Sequence, residues 1–164
     1  MKEVSSSLHP YPLRKDEDGI YTFTTEDGIE YNIIFIDMGV YAEELWGVYQ
    51  FNIERNQNIV HKIDNRIYHT VIYILERFFQ ETPDDAILMV CDSSDGKQQK
   101  RRKLFDRWYA KSSHKEDIDV FNAEYHDYNN DKVYTSLYIN RHTPRYKTVV
   151  DSYMQLVRNS MMPI

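Results

Sequence analysis

Hydrophobic and polar positions alternate with a period of two from residue 21. Tyr21 and Phe23 alternate with Thr22 and Thr24, which predicts a strand. Glu26-Asp27-Gly28 is a hairpin signal, and residues 29–37 form the second strand. The run Ile33-Ile34-Phe35-Ile36 predicts burial on both faces of that strand. A third strand is expected over residues 46–54, with Trp46, Val48, Phe51 and Ile53 mostly alternating. Tyr41 to Leu45 reads as a turn or one helical turn.

From Asp64 to Phe79 the period changes. Ile67, Val71, Leu75 and Phe78 recur at spacings of four, four and three, widened by Tyr68, Ile72 and Phe79, as in an amphipathic helix lying on a sheet. Asp64 or Asn65 can cap its start, and Thr82-Pro83 stops it. Residues 86–91 are a fourth, apolar strand. A basic helix over residues 95–110 follows, capped by Ser93 or Ser94, with Leu104, Phe105 and Trp108 toward the core. Residues 119–127 and 132–141 read as an antiparallel pair around Asn129-Asn130-Asp131. Thr143-Pro144 predicts the start of a last helix that runs to about Asn159, with Val149, Val150, Tyr153, Leu156 and Val157 apolar.

The resulting order is β-β-β-α-β-α-β-β-α. It predicts a single α+β domain over residues 19–164, after residues 1–18, which carry Pro10 and Pro12 and read as an irregular lead-in or an extended edge. The sheet is expected to be mixed and mostly antiparallel, with about six strands and helices on both faces. The fourth strand follows a helical crossover and so runs parallel to a neighbour.

Composition narrows the function classes. The 164 residues carry a formal charge of −6, which disfavours nucleic-acid binding, a mode that needs a basic face. One cysteine, Cys91, permits no internal disulfide and fits a reducing cytoplasm. The first residues show no apolar run of the secretory type, and no run approaches a membrane span, so a cytoplasmic protein without membrane contact is expected. The 14 tyrosines suit a sheet, and those in the last two strands suit either ordinary packing or a pocket or self-association surface.

Candidate chemistry concentrates where the fourth strand meets the basic helix. Junctions at the C-terminal ends of strands are where α/β sheets bind ligands. Cys91 can be a nucleophile there, although a buried free cysteine is more often a core residue. Ser93, Ser94, Asp95 and Gly96, helped by Lys97 and Lys100, can hold an anion on helix N-terminal amides. Plain capping is the commoner use of such residues, and Asp92 and Asp95 repel anions. The run Lys97, Lys100, Arg101, Arg102, Lys103, Arg107 and Lys111 is a solvated face or a docking site for an acidic partner. His114, Asp117, Asp119 and His126 match no ligand spacing, so no metal is expected.

The element order over residues 20–141 resembles that of the GNAT-type N-acetyltransferases. Their core runs through three antiparallel strands, a helix, a parallel strand, a helix and two strands. The resemblance implies acetyl-CoA held by a glycine-rich loop after the third strand, and a helix bearing an Asn and, seven residues on, a Tyr that acts as general acid. Here the loop Glu54–Asp64 has no glycine, Gln98 falls at the Asn position and Phe105 at the Tyr position, with Tyr109 four residues further round the helix. The helices that follow the family's first strand are missing. Three readings follow. The first is a non-catalytic binding or regulatory protein on a GNAT-like scaffold, with a protein partner or a second copy and no cofactor. The second is a divergent acyl-CoA-dependent N-acyltransferase, with Ser93, Ser94, Lys97 and Arg101 beside the cofactor. The third is a nucleic-acid-associated protein using the basic helix. The chain is also read as one of an uncharacterised bacterial family, which implies no mechanism.

Overall fold

The computed structural model describes residues 8–56, 64–91, 98–112 and 114–159, with the side chains of Gln98, Gln99 and Arg101 excepted. Its strands are β1 (Arg14–Lys15), β2 (Tyr21–Thr24), β3 (Glu30–Asp37), β4 (Val48–Arg55), β5 (Ala86–Cys91), β6 (Ile118–His126) and β7 (Lys132–Asn140). The helices are α1 (Asn65–Glu81), α2 (Gln98–Lys111) and α3 (Tyr146–Arg158). The strands form one sheet in the order β1-β2-β3-β4-β5-β7-β6. Every neighbouring pair is antiparallel except β4 with β5.

The sheet therefore has seven strands where six were expected. The additional one, β1, has two exposed residues and no hydrophobic period that a sequence reading can detect. Gly28 closes the β2–β3 hairpin at φ 79°, and Thr25 N–H donates to the Ile29 carbonyl at 2.9 Å. Between β3 and β4 the chain makes two short 3-10 turns, Met38–Val40 and Glu43–Leu45. Trp46 is not a strand residue. It is 65% exposed, and the Arg145 guanidinium lies 4.8 Å from its ring centre.

Two apolar clusters sandwich the sheet. One gathers Val71, Leu75 and Phe79 of α1 and Phe105 and Trp108 of α2 over Phe51, Ile87, Met89 and Cys91. The other sets Val149 and Tyr153 of α3 against Val48, Leu88, Leu137 and Ile139. Helices thus cover both faces, as the periodicity predicts.

Two helix ends illustrate local control. Asp64 caps α1 by accepting from Arg66 N–H at 2.9 Å, and Thr82 ends it by donating from its backbone N–H to the Phe78 carbonyl at 2.9 Å. The expected start of α3, with Thr143 as cap and Pro144 as first helical residue, is corrected by two residues, for the cap is Arg145 and the helix begins at Tyr146. Thr143 is buried, and its hydroxyl donates to the Asp84 carbonyl at 3.1 Å, so it ties a turn to the start of β5 instead of capping α3.

The segment before β1 is bound to α1. Tyr11 N–H donates to Thr70 Oγ1 at 2.8 Å, and the Tyr11 phenol donates to Asp64 Oδ2 at 2.5 Å. Arg66 donates to the carbonyls of His9 and Pro10, and its guanidinium lies 4.0 Å from the Tyr11 ring centre.

Candidate functional site

The parallel pair β4–β5 sets the candidate site. The two strands pair only through Val48↔Ala86, Tyr49↔Ile87 and Gln50↔Leu88. Beyond these, β4 continues from Phe51 to Arg55 paired with β3 alone, and β5 continues from Met89 to Cys91 paired with β7 alone. Their C-terminal ends form a fork, and no strand among the described residues fills it. Unpaired strand edges offer rows of backbone donors and acceptors. Such edges can take an extended chain.

Side chains close one face of the fork. Phe51, the first β4 residue past the pairing, meets Phe105 of α2 edge-on, with ring centres 5.0 Å apart. Phe105 also packs on Trp108 and Tyr138. Phe51, Phe105, Met89 and Cys91 are all buried, so this side is dry and apolar. Toward α3 the lining is more polar. Gln50 is buried, and its amide donates to Asn52 Oδ1 at 3.4 Å.

Tyr138 adds a feature that the sequence reading missed. Its alternation with Ser136 and Tyr134 predicts one shared face, and the structure buries Tyr138 completely under α2. Its hydroxyl has no hydrogen-bond partner among the described residues. Burial, and after it the carboxylate of Asp106, pushes the phenol well above its ordinary range.

Cys91 lies at the tip of β5 with no exposed surface, which is the setting of a core cysteine. Ser93, Ser94, Asp95, Gly96 and Lys97 lie outside the described residues, as does the side chain of Arg101. The part of the loop Glu54–Asp64 from 57 to 63 also lies outside them. Phe105, which the resemblance sets at the position of the general acid, is buried on the inward side of α2. Tyr109 is structural: its phenol donates to the Ile118 carbonyl at 2.9 Å.

The basic helix is partly engaged with the chain itself. Arg102 lies over Tyr134 at 4.6 Å and Arg107 over Tyr68 at 4.9 Å, while Lys100, Lys103 and Lys111 are exposed. Of the weighed metal ligands, Asp119 accepts from Arg141 at 2.8 Å and from Tyr146 at 2.7 Å. No group of three or more His, Cys, Asp or Glu among the described residues can hold a metal ion. No helix among them is long and apolar enough to cross a membrane.

Residues 63–155, from just before α1 into α3, match the model of a family described as a family of unknown function (DUF6169). No curated protein and no solved structure matches the chain.

Proposed function

The chain belongs to DUF6169, a family of unknown function whose membership brings no activity with it, and we propose that it is a non-catalytic binding or regulatory protein on a GNAT-like scaffold that takes an extended ligand in the β4–β5 fork. The observation that carries this reading is the fork itself, two parallel strands joined over three residue pairs and then left unpaired. The order β2-β3-β4-α1-β5-α2-β6-β7 supports the scaffold, since it matches the core order of the GNAT-type N-acetyltransferases. The C-terminal α3 then stands as an addition, packed on the face opposite α1 and α2.

Phe105 supports the non-catalytic part. A general acid must present a proton within hydrogen-bond reach of the leaving group. The ring that faces Phe51 cannot do so. A scaffold alone supplies no chemistry. The basic helix adds a docking face for an acidic protein segment through Lys100, Lys103 and Lys111.

One observation favours a second reading, a divergent acyl-CoA-dependent N-acyltransferase. The Tyr138 phenol is buried and packs against Phe105 beside the fork, which makes it a candidate proton source. The deciding experiment is release of free thiol from acetyl-CoA in the presence of primary amines, run with a thermal shift by CoA. The binding reading expects no thiol release above the uncatalysed rate, and enzyme-dependent release overturns it. A ligand at about a hundred times its dissociation constant stabilises the fold by about 2.7 kcal/mol, so CoA binding without turnover is also visible.

A further inference from the structure

A second cleft lies at the opposite ends of the same two parallel strands, beside Tyr49 near the start of β4 and Asp85 just before β5. It has a volume of about 230 Å³, and its lining includes the rings of Tyr21, Phe35, Tyr49 and Phe78, the carboxylates of Glu81 and Asp85, and Lys15. We propose that this cleft binds organic ammonium ions, with the aromatic rings as walls and Asp85 as the counter-charge.

The rings form a continuous aromatic surface. Phe35 stacks on Phe78 with centres 5.0 Å apart, and Tyr49 meets Phe78 edge-on at 5.8 Å. Ring faces attract cations, and carboxylates beside them select an ammonium over a neutral group. The chain already uses this chemistry at the rim, where Lys15 Nζ lies 5.1 Å from the Tyr21 ring centre.

The carboxylates differ in availability. Glu81 is paired with Arg77. Asp85 is half-buried, and its carboxylate accepts no hydrogen bond and forms no ion pair among the described residues. Burial raises its pKa above the ordinary carboxyl value. Asp84 and Asp37 push the same way, and Arg145 pushes against them. A half-buried carboxylate in that state gains from a cation in direct contact, which neither Arg145 nor Lys15 provides among the described residues. Arg145 is turned to other partners, Trp46 and the Glu44 carbonyl.

Two further features favour a positive ligand of organic type. Phe78, Glu81 and Thr82 bring the C-terminal turn of α1 to the cleft, and helix C-termini attract cations. A bare metal ion fits less well, because the carboxylates do not converge as a ligand set and aromatic rings, which are not ligands for a hard cation, form part of the wall.

The test is a titration of the full chain with 2-phenylethylammonium, followed by calorimetry and amide shifts, against neutral 2-phenylethanol. The expected result is saturable binding at roughly millimolar concentration, with shifts at Tyr49, Phe78 and Asp85. Asp85→Asn keeps the shape and removes the charge, and weakens binding by about tenfold or more. Tyr49→Leu weakens it through the wall while leaving Asp85 in place. Equal binding of the alcohol, unchanged affinity in Asp85→Asn, absence of saturable binding, or shifts confined to other surfaces would each overturn the proposal. The CoA experiment above reads the opposite end of the sheet, so the two can fail independently.

Discussion

Phe51 and Phe105 meet edge-on with ring centres 5.0 Å apart, and this one contact joins the arm of the fork to the helix that covers it. Phe51 is the first β4 residue beyond the parallel pairing. The pair therefore decides whether the helical side of the fork is open or closed.

Phe105→Ala should cost about 3–5 kcal/mol, the range for a large aromatic removed from a packed core. Equilibrium urea unfolding checks this. Phe105→Tyr should cost about 1–3 kcal/mol, because the added hydroxyl is buried where only rings surround it. If Phe105→Tyr gained acetyl-CoA-dependent thiol release that the unsubstituted chain lacks, the missing phenol at 105 would be the reason for the lack of catalysis.

Tyr11 and Asp64 should be energetically coupled. The phenol donates to the same carboxylate that caps α1. Tyr11→Phe should cost about 1–2 kcal/mol, and Asp64→Ala about 0.5–2 kcal/mol. The double variant should lose less than the sum, since each single change already breaks the shared bond. Hydrogen exchange should show faster opening of residues 8–13 in both single variants.

Most of the fold is legible in the sequence, because period-two and period-3.6 patterns fix which face each segment buries. Ile33, Val71, Leu75 and Phe79 fall where those patterns put them. Trp46 misled because an exposed tryptophan under an arginine looks, in one dimension, like a strand residue. The fork left no trace in the sequence. How far two parallel strands stay paired depends on the packing of Phe51 and Phe105, which are more than fifty residues apart. The cleft around Asp85 was missed for the same reason, since its walls come from β2, β3, β4 and α1.

Gly47→Ala should be destabilising by about 1–2 kcal/mol or more, and thermal unfolding checks it. Gly47 sits at φ 81°, and a Cβ there would lie 3.0 Å from Arg145 Nη1 and 3.2 Å from Asp85 Oδ1. Its carbonyl also accepts from Ala86 N–H at 2.8 Å, so the residue cannot shift without disturbing the start of β5.

Alkali should unfold the chain through its buried phenols. Burial pushes Tyr153 up to about 12, and Tyr138 further still. A raised phenol binds its proton more tightly when folded. Its stabilisation is therefore complete below the ordinary value of 10.0 and is lost as the pH climbs toward 12. Stability should fall by about 1.4 kcal/mol per pH unit for each such group across that window. Tyrosine absorbance during alkaline titration should show the exposed phenols ionising first and the buried ones only on unfolding. Tyr153→Phe should flatten part of the fall, at the loss of its bond to the Phe121 carbonyl.

Among the described residues, three residue pairs between β4 and β5 and the Ala86–Gly47 bond beside them hold a seam between two half-sheets. On one side lie β1 to β4, and on the other β5, β7 and β6. A chain laid along the open edges beyond Gln50 and Leu88 would add rungs to that seam. Its binding would be felt as a stiffening of the two halves against each other, well outside the residues it touches.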